Sequence, residues 1–518
     1  MGGRGQRFLA GKRTAAVLRA SALVSLALLA TGCAVGPRYT RPTAEVPPSF
    51  KETPANWKQA QPADESRRGN WWEVFHDPQL NALEEQINVS NQNLKAAQAQ
   101  FLQARTLVRF NRANYLPTVT AGLGVTENRI SSNRPVASVT GKKSYADFTL
   151  PVDVSYEADV WGRIRKSVEA AREDAQASAA DVESVSLSLH AELAVDYFQA
   201  RSFDSEEQLL NSNVAAFQQA LQLTQNRYQG GVASGVDVAQ AQTELETTRA
   251  QAVDLQVQRA QFEHAIAALL GQPASSFTLQ VVPLTELPPS LPPGLPSELL
   301  ERRPDIAASE RRMAAANARI GVARAAYFPT IDLSTTGGFE STSITTLLSG
   351  PSGVLAAGVS ATVTAFDGGR RRAINEQARA VYEQTVANYR ETVLQAFQDV
   401  EDNLAALRIL EGEAQIQQEA VDAAEKSLQL STNRYKGGVV TYLEVLSAQS
   451  TALANQRVAV DIARRRMTAS VLLVKALGGG WNVANLPTSL LSSVPNAAYS
   501  NGAAAKTRNH DRSTSGSE

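Results

Sequence analysis

A single cysteine in 518 residues rules out a disulfide framework. Four histidines at positions 76, 190, 264 and 510 are too scattered for paired metal spacing. No nucleophile motif or phosphate-cradling loop is present, since Gly478-Gly479-Gly480 ends a helical pattern with no helix after it. An enzyme is therefore not expected, nor is any cofactor or resident metal; His190 and His264 read as ordinary helix-packing residues. Charge of one sign is missing as well: 50 basic against 51 acidic residues leave a net charge of −1, which gives no field to gather nucleic acid. The apolar run Ala20 to Ala30 is too short to span a bilayer as a helix. Aromatics make up only 6% of the chain, which suits long helices lying side by side better than one large globular core.

The most informative feature present is a repeat. Leu221-Gln222-Leu223-Thr224-Gln225-Asn226-Arg227-Tyr228-Gln229-Gly230-Gly231-Val232 returns as Leu428-Gln429-Leu430-Ser431-Thr432-Asn433-Arg434-Tyr435-Lys436-Gly437-Gly438-Val439. The offset of 207 residues holds without a gap through Gln242 and Gln449, with 12 of 22 positions identical. Two copies of one large supersecondary unit are implied.

The N-terminus reads as a targeting segment, residues 1–32. Arg4, Arg7, Lys12, Arg13 and Arg19 precede the apolar run, which ends at Leu29-Ala30-Thr31-Gly32-Cys33. Small residues leading into the lone cysteine resemble a bacterial lipobox, in which Cys33 becomes a lipidated N-terminus. An ordinary signal peptide with a chance cysteine is the plainer alternative. By the lipoprotein sorting pattern, Ala34 rather than an aspartate implies delivery to the outer membrane. Residues 33–76 are proline-rich, with Trp57, Trp71 and Trp72 as anchors onto a folded body.

Residues 77–271 form the first copy. Asp77-Pro78 is a helix start, and apolar residues at three- and four-residue spacing predict a helix of about 37 residues to Asn114, roughly 55 Å long. The period then switches to two: 118–130 and 148–160 alternate apolar with polar residues, as a strand between lipid and water must. Pro151 is a blemish, because it cannot donate to a sheet ladder. Arg163 to Tyr228 is helical without proline or glycine, roughly 100 Å. Gly230-Gly231 stops it, and Val236 to Leu270 makes another helix. A proline-rich connector, 272–303, leads to the second copy, 304–478. That copy has helix 305–327, strands 330–342 and 354–366, helix 370–435, the Gly437-Gly438 stop and helix 443–477. Residues 479–495 return to the middle, and 496–518 read as a disordered tail.

The two short helices of a copy together match its long one, so they should stack end to end beside it, meeting near mid-height in a belt. The hairpins at 117–160 and 329–366 supply four strands, too few to close a barrel. Open sheet edges are not tolerated in lipid, so several copies must share one wall; two would give eight strands and three would give twelve. Tyr115, Trp161, Tyr327, Phe328 and Phe366 sit where helix meets strand and read as a membrane-interface belt.

These residues resemble the TolC-like outer-membrane factor family, specifically its lipoprotein branch of efflux ducts. The matches are Val35-Gly36-Pro37-Arg38-Tyr39, Trp71-Trp72, Leu299-Leu300-Glu301-Arg302-Arg303-Pro304-Asp305-Ile306, Tyr327-Phe328-Pro329, Phe366-Asp367-Gly368-Gly369-Arg370 and Arg434-Tyr435-Lys436-Gly437-Gly438-Val439. The resemblance implies a mixed, mostly α membrane protein. Its homotrimer would have a twelve-stranded β-barrel in outer-membrane lipid, a twelve-helix tunnel and an equatorial mixed domain. It also implies docking onto a periplasmic adaptor and an inner-membrane RND-type pump, with no nucleic acid involved. The periplasmic tip would close like an iris beside the two Gly-Gly turns. Asp237 and Glu444 lie just past those turns, so a trimer would form rings of three carboxylates, cation-selective if they face the pore. Alternatively, each acid simply complements its helix dipole. Tyr435 matches a tip tyrosine of the family's lock, whereas the lock's arginine is replaced here by Val440. Gly230, Gly231, Gly437 and Gly438 are the candidates for adaptor contact; Arg227 and Arg434 are a second possibility. A duct for protein secretion and a lipid-anchored helical scaffold remain alternatives. Cargo stays open among drugs, solvents and metal ions.

Overall fold

Asp77 and Pro78 open the first helix as their chemistry requires. The computed structural model describes residues 35–52, 70–131, 133, 144–285, 287–289, 299–481 and 486. In it the Asp77 carboxylate accepts the N–H groups of Gln79 and Leu80 at 2.8 and 3.1 Å, and Pro78 takes the first helical position. The expected single helix is two: α1 (Pro78–Ser90) and α2 (Gln92–Ala113), parted at Asn91. Asn91 Oδ1 accepts the Leu94 N–H at 2.9 Å, while its Nδ2 donates to the Leu269 carbonyl at 2.7 Å. One side chain thus starts one helix and satisfies the end of another. The apolar spacing runs through the break undisturbed, which is why the periodicity conceals it.

The first hairpin comprises β1 (Thr118–Ala121), β2 (Gly124–Arg129) and β3 (Ser144–Ala158). Thr118 pairs with Ser155 and Gly124 with Thr149 in one continuous register, so β1 and β2 are one strand interrupted at Gly122 and Leu123. The interruption faces Pro151, whose carbonyl accepts the Gly122 N–H at 3.0 Å. The proline's missing donor therefore points at the gap, and the blemish has a place to sit.

From Gly162 onward the long helix α3 (Arg163–Gln229) and then α4 (Gly235–Leu269) follow. The proline-rich connector contains a 3₁₀ turn, Ala274–Ser276, and the short helix α5 (Leu299–Arg302). The second copy supplies α6 (Pro304–Ala325), β4 (Thr330–Ser341), β5 (Gly353–Thr362), α7 (Arg370–Lys436) and α8 (Tyr442–Ala476). β5 ends four residues before the expected Phe366. Its ladder with β4 stops at the Thr330–Thr362 pair, beyond which the facing residue is Pro329, with no N–H to give. The sheet order is β1/β2–β3–β4–β5, all antiparallel, leaving β1/β2 and β5 as unpaired edges of the subunit.

α3 and α7 are both 67 residues long, α4 and α8 both 35, and each pair is offset by 207, so the short repeat seen at the turns runs through four helices. The ends of the short helices meet where the sum of lengths requires. Gly271, at φ +66°, lies against the Ser90 carbonyl, and Gly478, at φ +89°, lies against the Arg302 carbonyl. A Cβ at these glycines would stand 2.6 and 2.2 Å from those oxygens, so glycine is needed on both counts. Arg303 takes half of the part in the second joint that Asn91 plays in the first: its Nη1 donates to the Ala476 carbonyl at 3.3 Å, but its side chain does not cap α6.

Around the first joint Trp71, Trp72 and Phe75 of a 3₁₀ turn pack with Leu80, Ile87, Leu193, Phe198, Ile266 and Val471. Around the second, Phe50 packs with Ile306, Tyr389, Phe397, Leu404 and Leu473. Phe50 arrives on the N-terminal segment, which begins beside β3 with Val35 N–H donating to the Trp161 carbonyl at 3.0 Å. It descends past α6, where Tyr39 donates to Glu310 at 3.2 Å, and reaches α7, where Arg41 donates to the Tyr389 hydroxyl at 3.0 Å. Among the described residues, no helix is long and apolar enough to cross a membrane. Cys33, the leader 1–32, Trp57 and the tail 496–518 lie outside the described residues.

Candidate functional site

Two helix-turn-helix tips lie at the far end of the long helices from the sheet. In each, only the second glycine needs the left-handed region: Gly231 at φ +74° and Gly438 at φ +73°. Gly230 and Gly437 have φ of −79° and −75°, values open to any residue. Val232 N–H donates to the Arg227 carbonyl at 2.9 Å, and Val439 N–H to the Arg434 carbonyl at 3.0 Å, closing both helices by the same Schellman-type bond.

Past the turns the copies differ. Asp237 is the third residue of a capping box: Ser234 Oγ accepts its N–H at 3.2 Å, and its Oδ2 accepts the Ser234 N–H at 2.9 Å. In the equivalent place Thr441 makes no side-chain cap, and Glu444 instead pairs across its turn with Arg434 at 3.3 Å, both side chains about half exposed.

Tyr435 sits between the tips. Only 4% of it is exposed, its hydroxyl donates to Thr224 Oγ1 at 3.4 Å, and its ring meets Tyr442 edge-on at 5.6 Å. Thr224, itself fully buried, donates a hydrogen bond from its hydroxyl to the Ala220 carbonyl at 2.9 Å. Arg227 lies over the Tyr435 ring, Cζ 4.6 Å from the centroid, and donates to the Lys436 carbonyl at 3.3 Å. Within one subunit the two tips are therefore fastened by Arg227, Thr224 and Tyr435, and Asp237 is not part of that contact.

At the other end of the helices the aromatic candidates fall into separate groups. Trp161 and Phe328 stack at 4.8 Å, and Trp161 Nε1 donates to the Pro329 carbonyl at 2.8 Å. Tyr327 lies under the Arg371 guanidinium at 5.6 Å. Tyr115 is half-buried, and Phe366 is 88% exposed.

Sequence reasoning missed two buried polar networks at mid-height. Asp204 accepts from Arg259 Nε at 2.6 Å, from Arg201 at 3.2 Å and from the Val282 N–H at 2.9 Å. Arg201 also donates to Gln79 Oε1 and the Gln280 carbonyl and stacks on Tyr197 at 4.7 Å. Tyr197 in turn donates to Asp77 at 2.5 Å. The second network is Glu84 Oε2 against His190 Nδ1 at 2.6 Å, with His190 Nε2 against Asn88 at 3.2 Å and Trp72 stacked on the imidazole at 4.4 Å. Burial pushes the Glu84 carboxyl well above its usual range and His190 down to about 4. Burial thus favours the uncharged form of each, in which the carboxylic acid would donate to Nδ1 and Nε2–H to Asn88 Oδ1. The readable signal was a charge on an apolar stripe: Glu84 between Leu80, Leu83 and Ile87.

A family model described as "Outer membrane efflux protein" matches residues 83–272 and 295–479. The chain is 32% identical over 478 residues to the toluene efflux pump outer membrane protein TtgF of Pseudomonas putida, covering 90% of this chain and 98% of that one. It is 30% identical over 464 residues to the cation efflux system protein CusC of Escherichia coli, covering 88% and 97%. The solved outer-membrane channel OprN superposes with a TM-score of 0.80 at 31% identity, over 87% of this chain and all of that one.

Proposed function

The chain belongs to the outer membrane efflux protein family, and from that premise we propose that three copies close one duct gated at the helical tips. Membership sets the core of the function: this is an outer-membrane channel, the exit duct of an efflux pump, in a family of channels rather than enzymes. The observation that carries the trimer is the four-strand-wide sheet with unpaired β1/β2 and β5 edges. Lipid does not tolerate such edges. Two copies give eight strands and a side-chain-filled interior, whereas three give twelve and leave an aqueous lumen. The same threefold closure sets α2, α3, α6 and α7 of each subunit into a twelve-helix wall below the barrel. The Trp161–Phe328 stack and Tyr327 lie at the level where barrel meets tunnel and suit the membrane interface.

A lipid on Cys33 would be tethered only two residues before Val35, whose bond to Trp161 holds it at that interface. At the opposite end the Gly231 and Gly438 turns are offered to a periplasmic adaptor, which joins the duct to an inner-membrane RND-type pump. Cargo is set by that pump: small solutes of the kinds named for the relatives, toluene or cations. The test is the purified full chain in mild detergent and in planar bilayers. Trimer mass with single-channel conductance supports the reading; a silent monomer overturns it. Susceptibility of a deletion strain to toluene, antibiotics and copper salts then assigns the cargo.

A further inference from the structure

Arg227 and Arg434 are the same residue of two repeats, as are Tyr228 and Tyr435, each pair 207 apart. Their surroundings are not the same. Arg227 reaches out of its own tip to lie over Tyr435 of the next tip in the subunit, 4.6 Å from the ring centroid. Arg434 is folded back onto its own turn, 3.3 Å from Glu444. Tyr435 is buried, whereas Tyr228 is 54% exposed. Among the described residues no ring, cation or hydrogen-bond partner approaches the Tyr228 side chain. One subunit thus holds one completed arginine-on-tyrosine contact and the two unmatched halves of another: a tyrosine facing out on the first tip and an arginine on the second.

In the trimer proposed above, on which this inference rests, the six tips alternate around the axis. The second tip of one subunit then stands to the first tip of the next as the two tips stand within a subunit. We propose that Arg434 is a two-position switch: paired with Glu444 of its own turn when the tip is closed, and stacked on Tyr228 of the neighbouring subunit when it is open. The open ring then carries six equivalent arginine-on-tyrosine contacts, three within subunits and three between them. The closed ring keeps only the inner three. Opening replaces a surface ion pair, cheap to break because both partners are half exposed, with a cation over an aromatic face. The occupant of the exposed Tyr228 surface is accordingly a second copy of this chain.

The full-length trimer in planar bilayers tests the switch. Glu444→Gln releases Arg434 and should raise mean conductance roughly two- to fivefold, the factor that a surface ion pair supports. Adding Tyr228→Ala should return conductance to the starting value, whereas adding Tyr228→Phe, which keeps the ring, should not. Equal conductance of the Glu444→Gln protein with and without Tyr228→Ala overturns the proposal, as does no gain from Glu444→Gln alone. Independently, Arg434→Cys with Tyr228→Cys, treated with a short bismaleimide, should give dimers and trimers on a denaturing gel. Monomer bands alone overturn the proposal, because the two positions must come within reach of one another for the contact to form. A trimer that conducts but shows neither effect refutes the switch and leaves the duct standing; a silent monomer refutes the duct itself.

Discussion

In the middle of α3, His190, Tyr197, Arg201 and Asp204 are buried; 207 residues on, α7 carries Phe397, Leu404, Arg408 and Glu411 at the same positions. Phe397 and Leu404 are buried as well, but Arg408 and Glu411 face solvent. The two helices have the same length and the same glycine start, so the backbone does not explain the exchange. What covers them does. α3 and α4 together hold extended connector backbone: on α3 Asp204 takes the Val282 N–H and Ser205 takes the Leu284 N–H at 2.7 Å, and on α4 Arg259 gives to the Leu279 carbonyl at 2.7 Å. Connector backbone with no strand partner must take its hydrogen bonds from side chains or water, and here side chains supply three of them. α7 is instead covered by Phe50 on the N-terminal segment, a ring that asks for aliphatic neighbours. Its exposed Arg408 only clips Glu52 at 2.6 Å. Glu401 of α7 also takes the Lys51 and Glu52 N–H groups, at 2.7 and 3.0 Å, so both copies hold chain with a carboxylate. What differs is that the first copy buries its carboxylate between two arginines and the second keeps its own partly exposed beside an apolar cluster.

The sharpest way to break this comparison is to neutralise the same position twice. Asp204→Asn leaves buried Arg201 without its anion, while Arg259 keeps Glu263 at 2.6 Å, and should cost about 3 kcal/mol, seen as a large drop in the thermal midpoint of the detergent-solubilised protein. Glu411→Gln, one repeat later, should stay within about 0.5 kcal/mol. Equal effects would mean that the burial of Asp204 carries no energetic weight.

How much of this was legible follows from what periodicity encodes. The long helices were readable because their apolar spacing runs unbroken from Arg163 to Tyr228, and Gly230-Gly231 marks the stop. The break at Asn91 was not, because asparagine neither interrupts the spacing nor forbids a helix; its capping bond to Leu94 and its reach to Leu269 are tertiary facts. Pro151 looked like a fault because a single strand cannot reveal that its neighbour is interrupted opposite it. At the tips, repeat alignment placed Arg227 beside Arg434 and Tyr228 beside Tyr435 as equals. It could not say that one arginine crosses to the next tip while the other folds home, since that choice depends on Glu444 and on the burial of Tyr435.

The His190–Glu84 contact against Phe397 gives a second, pH-dependent test. An unfolded chain protonates histidine below about 6.5, whereas buried His190 resists until about 4, so its contribution to stability is lost as pH falls between those values. Glu84 works in the opposite sense. The folded protein keeps a proton that the unfolded chain gives up above 4.5, so stability is lost as pH rises past 4.5. Glu84→Gln keeps a donor for Nδ1 and removes only the second dependence. The difference in thermal midpoint, variant minus wild type, should be constant below pH 4.5 and then grow in the variant's favour as pH rises. A difference that moves the other way would mean the pair is ionic.

The smallest expected effect separates the tips themselves. Ser234 closes the capping box with Asp237, so Ser234→Ala removes an acceptor that the first turn of α4 uses, at a cost of about 1 kcal/mol. Local opening of that turn should then be roughly fivefold more frequent, since about 1.4 kcal/mol corresponds to a factor of ten. Thr441→Ala removes no such bond, because the Thr441 side chain caps nothing, and the first turn of α8 should exchange at an unchanged rate. Amide hydrogen exchange resolved at residues 235–238 and 442–445 reads both. If the two alanines loosen their tips equally, the capping box is ornamental. If only the first responds, the first tip is held by its own cap while the second is held by the Arg434–Glu444 pair, and that pair is the one an opening tip has to release.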